Sequence, residues 1–144
     1  MTNPAMRVLP AFAWHVSHLL SFQHDGRGLP RLGSPVLWVM VALKLVLACL
    51  VIAKLMPEVG LFVGLMKSLM AVVALYLCAS VTRRFYAFSG YLLLWSGVDV
   101  GLLGLSLVVD RVPDAFISTC YAWGLIAFIA LLYRAASQHE KNTS

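Results

Sequence analysis

The stretch Phe88–Val109, FSGYLLLWSGVDVGLLGLSLVV, decides the fold. A helix needs about 20 apolar residues to cross the hydrocarbon of a bilayer, and this run is that long. Yet Asp99 stands near its middle. At roughly 100° per residue, Gly90, Gly97, Gly101 and Gly104 fall within about 60° of one another. Asp99 lies on the opposite side, with Ser96, Leu103 and Ser106 nearby. A helix with a packing stripe on one side and a charge on the other belongs at the centre of a bundle.

The composition agrees with a membrane setting. Of 144 residues, 61% are hydrophobic and 12% charged, with a mean hydropathy of +0.87. Soluble domains run at about 45–50% apolar and about 25% charged. The expected fold is an all-α integral membrane protein: a four-transmembrane-helix bundle preceded by an N-terminal interfacial amphipathic helix. The spans are expected near 36–56, 59–82, 88–109 and 115–133. They make a membrane domain over 34–134, between an N-terminal segment, 1–33, and a polar, frayed tail, 135–144.

Within 1–33, the run from Pro10 to Gln23 places Phe12, Val16, Leu19 and Leu20 on one helical side. His15, His18 and Ser21 lie on another. Too short to span, it is expected at the membrane surface, with Pro10 opening the helix. The Gly- and Pro-rich HDGRGLPRLGSP then reads as a linker.

Basic residues set the orientation. Seven Lys and Arg gather on one side: Arg7, Arg27, Arg31, Arg83, Arg84, Arg134 and Lys141. Lys54 and Arg111 stand on the other. Cytoplasmic loops carry the excess of Lys and Arg, so both termini are expected in the cytoplasm of a cell with this protein in its inner (plasma) membrane. Arg31, Arg83, Arg84 and Arg134 are candidate headgroup contacts and topology determinants.

Two lysines lie within spans. At a rise of 1.5 Å per residue, Lys67 sits about 12 Å from the outer end of its span, Asp99 about 15 Å and Lys44 about 18 Å. The carboxylate is thus bracketed in depth by two amines. Each such charge costs roughly 2.5–3.5 kcal/mol at the centre of a span, which favours pairing. The spacing leaves open which lysine meets Asp99. On the second span, Gly60, Gly64, Lys67 and Ser68 share a face whose small residues allow close helix approach. That face directs Lys67 toward protein. The fourth span adds Ser118, Thr119, Cys120 and Tyr121 in its outer half.

Other chemistries lack their parts. His15 and His18 share a face but do not complete a metal site, which takes three or four ligands. No histidine lies in a span, so no haem is expected. The three cysteines form no CxxC pair. A net charge of +5 without a dense basic run excludes a nucleic-acid partner. No cofactor and no nucleophile–base pair is expected. The sequence favours a non-enzymatic subunit or scaffold, with the bilayer and a protein partner or second copy as its contacts. The alternative is an oligomeric transporter with Asp99 as proton or cation carrier.

Overall fold

The computed structural model describes residues 5–24, 29 and 34–141, with side chains from 10 to 24, at 29 and from 34 to 137. The described chain is all helical: α1 Ala5–Leu20, α2 Pro35–Leu55, α3 Leu61–Thr82, α4 Phe85–Leu105 and α5 Asp114–Lys141, with a 3-10 turn at Pro57–Val59. Four helices, α2 to α5, are long and apolar enough to cross a membrane.

Helix α4 is the axis. It touches each of the other four helices, and 61% of its most apolar window is buried, against 11% for α3. Among these four it is the least apolar, because it carries Ser89, Ser96 and Asp99, all buried. Leu92, Leu93, Leu94 and Leu102 are buried beside them, so this helix turns most of its surface toward its neighbours.

Local chemistry sets the helix ends. Pro35 opens α2 at the first turn, where its missing N–H is no loss. Gly60, at φ 74°, caps α3 in a conformation that an L side chain resists. A Cβ there would have no neighbour within 4 Å, so Gly60 serves the turn and not the packing expected of it. Arg83, at φ 54°, ends α3 in the left-handed region, and α4 starts two residues later. Consequently α4 begins three residues before the expected Phe88. It stops at Leu105, four residues short of Val109. Beyond it, Leu107 and Val108 are almost fully exposed, with no packing to extend the helix. The expected frayed tail is instead a continuation of α5 to Lys141.

The N-terminal helix departs further from expectation. It begins at Ala5, so Pro10 lies inside it and does not open it. Only one backbone bond is lost to that proline, and tertiary packing outweighs the loss. The face Phe12, Val16, Leu19 and Leu20 packs against α4 and α5. Val16 meets Gly97 at mid-helix, and the Leu20 carbonyl accepts a hydrogen bond from Trp123 Nε1 at 3.2 Å. A helix lying flat on the membrane surface would meet only one end of α4. This one reaches the middle of it. Leu29 then returns to the level of Gly90.

Candidate functional site: a buried ion pair beside a lateral cleft

Along α2, the residues Leu37, Met40, Lys44, Leu47, Ala48, Val51 and Ile52 form its buried stripe. Their three- and four-residue spacing is that of one helix face. Lys44 is the single charge on this stripe and it faces α4. There its Nζ forms an ion pair and hydrogen bond with Asp99 Oδ2. The side chains of Lys44 and Asp99 are 6% and 0% exposed. The other carboxylate oxygen, Oδ1, accepts a hydrogen bond from the Tyr121 hydroxyl of α5 at 2.8 Å. Three helices therefore converge on one carboxylate.

The energetics follow from desolvation. Two ions far from water are costly unless paired and further hydrogen bonded. Here the amine answers one oxygen and a phenol the other. No buried side-chain nitrogen or oxygen among the described residues lacks a hydrogen-bond partner. Tyr121 was not singled out in the sequence as a partner for Asp99. The signal existed: a buried tyrosine hydroxyl seeks an acceptor. Tyr121 stands about 10 Å from the start of α5, and Asp99 about 9 Å from the end of α4.

A cleft of about 390 Å³ borders the ion pair. Its floor is Lys44, Asp99 and Tyr121, its walls include Tyr91 and Trp95, and Lys67 and Ser68 stand on its α3 side. Lys67 is exposed and forms no ion pair among the described residues. The small-residue face of α3 was expected to turn Lys67 into the protein. Of that face Gly64 is buried, but the other buried positions are Val72 and Ala79, which places Lys67 at the edge. Gly64 lies against Ile52 of α2.

The glycine stripe of α4 divides in two. Gly90 is covered by Leu131 of α5, and Gly97 by Val16 of α1. Gly101 and Gly104 have no atom within 4 Å of a built Cβ. The described residues therefore do not close the half of the stripe nearer Leu105, contrary to a fully packed face. Arg83, Arg84 and Arg134 are exposed at one end of the bundle. Arg31 lies outside the described residues.

The turn after α1 assembles a third cluster. Phe22, at φ 60°, reverses the chain, and the amides of Gln23 and His24 bond to the His18 carbonyl. His24 thereby returns to His15, with Nε2 and Nδ1 2.7 Å apart. His18 stacks on Trp14 with ring centroids 4.1 Å apart. Burial, and next the charge of His18, lowers the His15 pKa below its ordinary 6.5. Among the described residues no three His, Cys, Asp or Glu side chains are grouped to hold a metal ion.

Comparison with family models, with curated proteins and with solved structures finds no match in any of the three.

Proposed function

We propose that this protein is a non-enzymatic integral subunit or scaffold of a membrane complex, with four spans and both termini on the cytoplasmic side of an inner membrane. The Lys44–Asp99–Tyr121 triad holds α2, α4 and α5 in one arrangement. Against that fixed frame, the outer half of the α4 glycine stripe receives an apolar helix of the partner. The observation that carries this reading is the contrast along one stripe. Gly90 and Gly97 are filled from within the chain, while Gly101 and Gly104 are open. Gly101 opens onto an apolar groove of about 540 Å³ whose lining includes Leu20, Leu105, Phe116 and Trp123. Small residues let a second backbone come close, where dispersion replaces the hydrophobic drive that lipid does not provide.

The test is recovery from membranes in a mild detergent. Wild-type protein should come out with a stable partner or as an oligomer. Gly101→Leu with Gly104→Leu should lose that company while keeping its own melting temperature. Recovery as a lone monomer from the wild-type membrane would sink the scaffold.

A second reading has its own support. The cleft reaches Asp99, as a path for a proton or cation would need. In an oligomer, Asp99 would be the carrier. Flux into proteoliposomes that persists in Asp99→Asn eliminates it.

A further inference from the structure

We propose that the cleft between α3 and α5 binds the head of a singly charged anionic amphiphile, with Lys67 as its counter-ion and its chains left in the bilayer. The inference rests on α2 to α5 being spans, but not on the scaffold reading.

The argument starts from charge. The cleft is bordered by two ammonium groups, Lys44 and Lys67, and one carboxylate, Asp99. Lys44 and Asp99 cancel one another. Lys67 forms no ion pair among the described residues, so the formal charge left at the cleft is +1. It stands six residues into α3 from Leu61, about 9 Å below the outer end of the helix. A cation at that depth is favoured by an anion close by. Asp99 does not serve, because both its oxygens are taken by Lys44 and Tyr121.

The shape selects an amphiphile over a free ion. No backbone approach joins α3 to α5 among the described residues, whereas each of them packs on α4. The cleft therefore opens sideways between them. Its walls include Ala48, Val51 and Ile52, and Met56 and Val59 mark its outer end. A head entering from the outer surface meets Lys67 and the Ser68 hydroxyl, while acyl chains lie in the lateral gap. About 390 Å³ holds a head and not the chains.

The experiment uses full-length protein in nanodiscs. The probes are phosphatidylglycerol, phosphatidylcholine and water-soluble glycerol phosphate, with bound lipid counted by native mass spectrometry. Wild type should retain phosphatidylglycerol over phosphatidylcholine by about tenfold, the scale of one charge-assisted hydrogen bond. Lys67→Met should abolish the preference, Lys67→Arg should keep it, and Lys54→Gln should leave it unchanged. An equal preference in Lys67→Met overturns the proposal. So does glycerol phosphate displacing the lipid at matched concentration, which would make the ligand a soluble anion. Flotation of the expressed protein with membranes tests the spans separately. Protein that floats but shows no Lys67-dependent lipid refutes the cleft site alone.

Discussion

Val16 of α1 occupies the space that a side chain at Gly97 of α4 would need: a Cβ there would collide with one methyl of Val16. Valine is branched at Cβ and cannot swing that methyl aside cheaply. Gly97→Ala should therefore push α1 off α4 and cost about 1–3 kcal/mol, the usual range for overpacking. Thermal unfolding in detergent, with proteolysis of the N-terminal segment, would show it. Gly104→Ala, seven residues along the same stripe, should do the reverse. Nothing is near its Cβ, and alanine in place of glycine favours a helix by up to about 1 kcal/mol. Equal losses at both positions would mean that α1 does not cover Gly97.

Asp99→Asn should leave the buried Lys44 ammonium without its counter-ion. Removing one member of a buried pair costs about 3–5 kcal/mol. Adding Lys44→Met should restore much of that, because it removes the stranded charge. Adding Lys67→Met should restore nothing. Folded yield and melting temperature across this double-mutant cycle distinguish the two lysines. Additive losses for positions 44 and 99 would count against direct pairing.

Tyr121→Phe deletes the hydroxyl and keeps the ring. It should cost about 1.5–3 kcal/mol, the range for a hydrogen bond to a charged group. Loss of the hydroxyl also leaves Asp99 with one unanswered oxygen. An unchanged melting temperature would show that water or another donor takes the place of Tyr121.

The histidine turn predicts a pH dependence. His15 is held below its ordinary value of 6.5, first by burial and then by His18. Below that pH the unfolded segment takes up a proton sooner than the docked one, so docking weakens as the medium acidifies. The contact between His15 and His24 adds to this, since one ring must accept. Between about pH 7.5 and 5.5, Trp123 fluorescence should report loosening of α1. His15→Gln should flatten that response. A wild-type profile that rises toward acid would reverse the assignment.

How much of this was legible in the sequence differs from residue to residue. The four long apolar helices were, since length and hydropathy act on the whole segment at once. The inward turn of Asp99 was also expected from its depth and its short side chain. Its partner was not, because α2 is apolar nearly all round and nothing marks which face turns inward. Lys44 and Lys67 differ from Asp99 in depth by similar amounts, and only lateral packing separates them. The glycine stripe was legible as a stripe, but which half would be filled depended on where α1 ends. That end, at Leu20, sits beside the middle of α4. The apolar side of α1 looks the same whether it faces lipid headgroups or a neighbouring helix, so its docking was hidden. Tyr121 was hidden differently, in a span where a tyrosine draws no notice until an acid at matching depth is set beside it.

The partners of Asp99 also impose an order on biogenesis. Lys44 precedes it by 55 residues and Tyr121 follows it by 22. A chain leaving the ribosome thus presents the amine first, the acid later and the phenol last. In a membrane-inserted chain, the amine of α2 would gain its counter-ion only once α4 arrives. A nascent chain arrested before Tyr121 should already hold its acid and base together, and would await only the hydroxyl to complete the closure.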